Sequence, residues 1–281
     1  MESLAIGPLV LSLQAAAALA AGAVFLIVGE VLGRRGHQQV NDWASTVLLV
    51  GLLAARIAYV IDHWSAYSRD LVSILYVWQG GFDPLWGFVA AGGYSLFFFR
   101  AKLSQIGPAL VPTLLAAAVF WAVSSWGSAQ QSLYELPDQS LAALAAPELN
   151  VAELKGQPLV INIWATWCPP CRRELPMMAE VAEESDGVQF VFIAQGEQED
   201  TVATFLEQEG LNLPLVLLDQ KNEVSRHFRA FGLPTTIFFD ASGKYAGRKI
   251  GEISRAELSD WIEKIAVRPT VAPEDIVRPV N

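Results

Sequence analysis

The chain has 281 residues, 53% hydrophobic and only 17% charged, with a mean hydropathy of +0.34 and a formal net charge of −10. That length suggests about two domains, and the composition excludes a disordered chain and argues against a wholly soluble enzyme. The charge is unevenly divided: residues 1–127 carry six basic and six acidic side chains, whereas residues 128–281 carry 13 and 23, with no basic stripe to hold DNA, RNA or an anionic lipid surface.

In chain order, the first apolar run is 9–32, interrupted by Gln14 and Glu30. About 20 apolar residues suffice to cross a bilayer core. A cleavable signal peptide, for which Ala18-Leu19-Ala20 could mimic a cleavage site, would need a basic leader. The one charged residue ahead of this run is Glu2, and the run is too long for an ordinary signal core, so a retained helix is expected. Further spans are expected at 44–61, at 85–99 and at 106–126, giving a transmembrane bundle of about four helices over residues 1–127. The third is short, and the segment ahead of it, with Gly80-Gly81 and Pro84, reads as interfacial or re-entrant. Arg34 and Arg35 follow the first span, Arg100 and Lys102 follow the third, and Arg69 stands alone between the second and third. By the positive-inside rule both ends of such a bundle lie outside the cytoplasm, so the second half is exported.

Arg56 lies inside the second span, where a guanidinium is costly in lipid and is expected to face a cavity or a partner. Arg56-Ile57-Ala58-Tyr59-Val60 and Trp78-Gln79-Gly80-Gly81-Phe82 resemble the membrane core of the prolipoprotein diacylglyceryl transferases, over Gly51 to Phe99. That family carries a histidine soon after the Gly-Gly pair and an Asn/Glu-containing signature in later helices. Here Gly81-Phe82-Asp83-Pro84-Leu85-Trp86-Gly87 has no histidine and the later signature is missing. The resemblance therefore implies a lipid-contacting anchor on a transferase-like core rather than an active transferase.

Residues 128–148 are rich in Ser, Gln and Ala, contain Pro137 and Pro147, and read as a linker. Over 149–267 strands and helices alternate, the mark of an α/β sheet domain. Strands are expected at 159–164, 188–194 and 213–218, and helices at 171–184, 201–209 and 223–231. A hairpin follows at 235–240 and 245–250 around Ala241-Ser242-Gly243-Lys244. Ser254-Arg255-Ala256-Glu257 is a capping box opening a last helix to Ile265. Residues 268–281, with three prolines, are expected to be a disordered tail.

The two cysteines of the chain both lie in Trp167-Cys168-Pro169-Pro170-Cys171, directly after the first expected strand. A pair three apart at a helix start can close a small disulfide, the redox signature of thioredoxin-like folds. A structural zinc site needs four ligands, and His37, His63 and His227 are scattered, so neither metal nor other cofactor is expected. A merely stabilising bridge normally closes a long loop, and this one encloses two residues.

Ile161-Asn162-Ile163-Trp164-Ala165-Thr166-Trp167-Cys168-Pro169-Pro170-Cys171-Arg172-Arg173-Glu174-Leu175-Pro176, with Gly232-Leu233-Pro234-Thr235-Thr236, resembles the membrane-tethered TlpA/ResA group of thioredoxin-like thiol:disulfide oxidoreductases, over about 149–265. The resemblance implies an α/β thioredoxin-like domain, a central mixed sheet flanked by helices, and a cis Leu233–Pro234 bond packed against the disulfide. A substrate strand would pair beside that bond, with Trp167, Leu233, Pro234 and Thr235 as its binding residues.

Cys168, at a helix N-terminus, is the expected nucleophile, and Cys171, one turn on and more buried, the resolving thiol. Thioredoxins carry an acid six residues before the first cysteine, where this chain has Asn162. Glu174 lies three residues after Cys171 on the same helix face, placed to take its proton, and the ResA-like group has a glutamate there. Pro169 and Pro170 lack N–H groups, and no histidine separates the cysteines, so a reductant of exported protein disulfides in the periplasm is expected. The first half holds no cysteine, so a separate DsbD- or CcdA-like membrane thiol protein is the expected electron donor. Three alternatives stand beside this reading: a lipid-modifying enzyme with a redox appendage, a thiol-binding adaptor, and a cytochrome c maturation reductase. The last group has a "GAPET"-like stretch around its cis proline, where this chain reads Gly-Leu-Pro-Thr-Thr.

Overall fold

The computed structural model describes residues 3–6, 9–101, 103–128 and 135–266; the expected tail lies outside them. Ser3–Ile6 (β1) and Leu9–Ser12 (β2) pair as an antiparallel hairpin. The first apolar run therefore starts as a strand and becomes helical only at Leu13. Helices Leu13–Arg34 (α1) and Gln38–Asp62 (α2) follow, then the single turn Trp64–Tyr67 (α3) and two 3₁₀ turns, Leu71–Leu75 and Val77–Gln79. Helices Pro84–Phe99 (α4) and Ile106–Ser128 (α5) complete this half. Helix α1 packs on α5 and α2, and α2 packs on α4.

Three of these helices, at 16–34, 38–62 and 103–125, are long and apolar enough to cross a membrane. Helix α4 has 16 residues, roughly 24 Å at the usual rise per residue and so shorter than a hydrocarbon core of about 30 Å. Of the four expected spans, then, three have full length and the third is a shorter helix entered through the 3₁₀ turns. Asp83 starts it by accepting the Leu85 and Trp86 N–H groups at 2.8 and 3.2 Å, and Pro84 occupies the first position, where no donor is needed. Large apolar side chains such as Leu53, Ile61, Phe88, Leu96 and Trp121 point outward along these helices. A helix apolar on its outer face as well suits lipid, not water.

The second half is a sheet with helices against it. Its elements are Ser140–Ala143 (β3), Ala146–Asn150 (β4), Leu159–Trp164 (β5), Pro169–Glu184 (α6), Gln189–Gln195 (β6), Glu199–Glu209 (α7), Val216–Asp219 (β7), Glu223–His227 (α8), Thr235–Phe239 (β8), Tyr245–Ile250 (β9) and Arg255–Ala266 (α9). The strands run in the order β4-β3-β7-β6-β5-β8-β9. Strands β5, β6 and β7 are parallel neighbours, while β8 lies antiparallel to both β5 and β9.

Part of the expected linker belongs to this sheet. β3 and β4 form a hairpin whose first strand pairs antiparallel with β7, burying Leu141 and Ala143. Its turn carries no Gly or Asn, since Ala145 itself adopts φ 57°, and an alanine-rich run without a turn residue reads as linker.

Alternation along β5 sends its side chains to opposite faces. Leu159, Ile161 and Ile163 pack with Val191, Ile193, Ile237 and Phe239 on one side. Val160 and Trp164 pack with Leu175, Met178 and Phe192 on the other. Asn162 therefore faces α6, as does every even-numbered residue of the strand.

Candidate active site

Helix α6 begins two residues before Cys171, because proline suits the first turn of a helix. Cys168 is its N-cap: its Sγ accepts the Cys171 N–H at 3.3 Å. Pro169 and Pro170 supply no donors, so this contact is the capping bond. Cys168 and Cys171 are joined as a disulfide, with Cα atoms 5.3 Å apart. Both residues are buried in this oxidised state, Cys168 retaining 3% exposure and Cys171 none. Trp167, the residue before Cys168, is 69% exposed, and Phe231, at the entry to the Leu233–Pro234 loop, is 74% exposed.

The Leu233–Pro234 bond is cis. The Pro234 carbonyl accepts the Gly251 N–H at 2.8 Å, and Leu233 packs between the cores on the two faces of the sheet. Thr235 is wholly buried and its hydroxyl donates to the Gly232 carbonyl at 2.6 Å. That side chain is committed within the loop, so of the four expected binding residues Trp167 presents the open surface.

Glu174 lies one turn beyond Cys171 on the buried face of α6, 2% exposed. It is not a solvated carboxylate. Its Oε1 accepts from Asn162 Nδ2 at 2.9 Å and its Oε2 from the Ile253 N–H at 3.0 Å. Burial drives the pKa up; the Ile253 and Asn162 hydrogen bonds pull it down, the Glu252 charge raises it and the Lys249 charge lowers it. The group ends pushed up to about 8. Asn162 also donates to Thr236 Oγ1 at 3.1 Å, which ties this carboxyl to the cis-proline strand β8.

Two residues that spacing alone did not reveal complete the surroundings. Glu197, 8% exposed, accepts the Thr166 N–H at 2.8 Å and the Thr166 hydroxyl, pinning the turn that leads into Trp167. Glu252 accepts from Arg173 Nε at 3.2 Å and Nη2 at 2.7 Å. No local motif marks either one, because each meets its partner only through the fold. Among the described residues no group of three or more His, Cys, Asp or Glu could hold a metal ion.

The apolar helices meet this domain through polar contacts. Tyr59 Oη donates to Asp260 at 2.6 Å, His63 Nε2 lies 2.7 Å from the same carboxylate, and Arg69 pairs with Glu184 at 2.5 Å. Gln79 Nε2 donates to Glu252 at 2.8 Å.

The AhpC/TSA family matches residues 134–246. Thiol-disulfide oxidoreductase ResA of Bacillus thuringiensis (strain Al Hakam) is 30% identical over 133 residues, covering 47% of this chain and 76% of the relative. ResA of Geobacillus thermodenitrificans (strain NG80-2) is 31% identical over 131 residues, covering 46% and 75%. A solved thiol:disulfide interchange protein of the thioredoxin family from Chlorobium tepidum TLS is 32% identical, with a TM-score of 0.42, covering 47% of this chain and 95% of that one. A thioredoxin-like sheet with a cysteine pair at a helix start defines a thiol:disulfide oxidoreductase. The chain belongs to the ResA family of thiol-disulfide oxidoreductases.

Proposed function

We propose that the protein is a membrane-anchored reductant of exported protein disulfides, working through Cys168 and Cys171 on the periplasmic side of a bacterial inner membrane. The observation that carries this reading is Glu174: a buried carboxyl one helical turn from Cys171, held by Asn162 and Ile253, with its pKa raised to about 8. In the oxidised protein at neutral pH it is protonated. A donor thiolate attacks Sγ of Cys168 and the disulfide breaks. Cys171 leaves as a thiolate and takes the Glu174 proton, and a second donor thiolate then frees Cys168. In the forward direction the Cys168 thiolate attacks a substrate disulfide and expels one substrate thiolate. Cys171 gives its proton to Glu174, attacks Sγ of Cys168 and releases the second. Two electrons pass to the substrate, and the cysteine pair is oxidised.

Three long apolar helices support anchoring in a lipid bilayer, and the basic loops after α1 and α4 support an exported redox domain. The guanidinium of Arg56 is satisfied by backbone carbonyls of residues 73, 74, 80 and 81, which favours a structural use of the transferase-like core over catalysis on lipid. With no cysteine among the apolar helices, a separate DsbD- or CcdA-like membrane thiol protein supplies the electrons.

The test is equilibration of the full-length protein with glutathione buffers while the Cys168–Cys171 bond is followed. A reductant settles at a potential well below the roughly −120 mV of the strong oxidant DsbA. A value near that figure overturns the direction of electron flow proposed here.

A further inference from the structure

Between α2 and α4 the chain could have been a plain tether, yet it presents a buried amide to the redox domain. Gln79 is 7% exposed; its Nε2 donates to Glu252 Oε1 at 2.8 Å, and its backbone carbonyl accepts from Lys249 Nζ at 2.9 Å. The strip it grips, residues 249–253, is the one that holds the redox centre from behind. Within it the Gly251 N–H bonds the Pro234 carbonyl and the Ile253 N–H bonds Glu174 Oε2. Glu252 binds Arg173, the neighbour of Glu174 on α6.

The gripping loop is itself rigidly set. Arg56 donates to the carbonyls of Gly80 and Gly81 at 2.6 and 2.8 Å and of Ile74 at 2.9 Å. Gly80 and Gly81 have φ of 91° and 79°, and a Cβ on Gly81 would stand 2.5 Å from Arg56 Nη1. Glycine is required there by both backbone and space.

We propose that Gln79, held in place by Arg56, is a positioning residue of the redox site: by fixing Glu252 and the 249–253 strip it sets the charge that Glu174 faces while exchanging a proton with Cys171. This rests on the reading of Glu174 as the proton partner of Cys171. The charged groups around Glu174 are Glu252, which opposes its ionisation, and Lys249, which favours it and is paired with Glu257 at 2.6 Å. Arg173, on the same helix, is turned to Glu252. Loss of the Gln79 amide admits water to Glu252, screens its field at Glu174, and lets Glu174 ionise at lower pH.

The experiment is the pH profile of single-turnover oxidation of the reduced full chain by insulin, in lipid nanodiscs. Gln79→Ala is expected to lower the profile midpoint by roughly one pH unit, and Gln79→Glu, placing a second carboxylate beside Glu252, to raise it. Adding Gln79→Ala to Glu252→Gln is expected to move the midpoint no further than Glu252→Gln alone, because both act through one group. Should Gln79→Ala fail to fold, Gln79→Glu and Glu252→Gln carry the test. Midpoints of the Gln79 variants coinciding with wild type overturn the inference, provided that Glu174→Gln abolishes the midpoint. A profile unchanged by Glu174→Gln sinks instead the reading of Glu174 itself.

Discussion

Glu174 shows how one side chain is assembled from three parts of the chain. Helical spacing puts it on the face of Cys171, strand alternation brings Asn162 to its Oε1, and the turn after β9 brings the Ile253 N–H to its Oε2. A carboxyl whose pKa is raised on folding binds a proton that the unfolded chain, with a value of 4.5, has already released. Its contribution to stability is complete below about 4.5 and is lost as the pH rises through about 8. Thermal melts of the full-length protein between pH 5 and pH 9 are therefore expected to show Tm declining with pH, and Glu174→Gln to flatten that decline. An equal decline in the variant contradicts the burial of a protonated acid. The cysteine motif and the place of Glu174 one turn beyond it were legible from spacing, whereas the cis Leu233–Pro234 bond was legible only through the family resemblance. Glu252, Glu197 and Gln79 were not: their partners lie 31 to 173 residues away in sequence, and no local pattern encodes such contacts.

Among the elements, the segment from α3 to α4 departs most from regular structure. Its carbonyls at 73, 74, 80 and 81 point inward to Arg56, which also stacks over the rings of Tyr67 and Phe82. An arginine that would be costly in lipid is thus spent on backbone that helices leave unsatisfied. Gly81→Ala places a methyl group against the guanidinium and in a left-handed conformation, so the loop must shift. Hydrogen exchange over residues 71–82 is expected to accelerate by about tenfold or more, as a loss of one to two kcal/mol implies, with α5 unchanged. Unaltered exchange in that loop contradicts the role given to Arg56. In the sequence, glycines and a proline mark this segment as irregular, but nothing marks the β3–β4 hairpin, because Ala145 adopts a conformation usually signalled by Gly or Asn. The short first strand pair is unmarked for a different reason, since its residues are as apolar as the helix they precede.

For the whole molecule, charge and contact agree on one arrangement. The loop between α2 and α4, which carries a single Arg and no Lys before Asp83, docks on the redox domain through His63, Arg69 and Gln79, beside Tyr59 in the last turn of α2. In the topology proposed above that loop lies on the same side as the segment after α5, so the docking requires no crossing. Trp167, next to Cys168 in the chain, and Phe231 stay exposed when the halves are together. Composition separates an apolar half from an acidic one, yet it could not show the polar contacts between Tyr59, His63, Arg69 or Gln79 and the acidic half.

The central claim is that Cys168 exchanges disulfides with exported proteins and Cys171 then releases them. Full-length Cys171→Ala, expressed in bacterial cells and isolated under non-reducing conditions, is expected to carry exported proteins in mixed disulfide with Cys168, absent when Cys168→Ala is added. Recovery of no such adducts, or of adducts with cytoplasmic proteins alone, contradicts it.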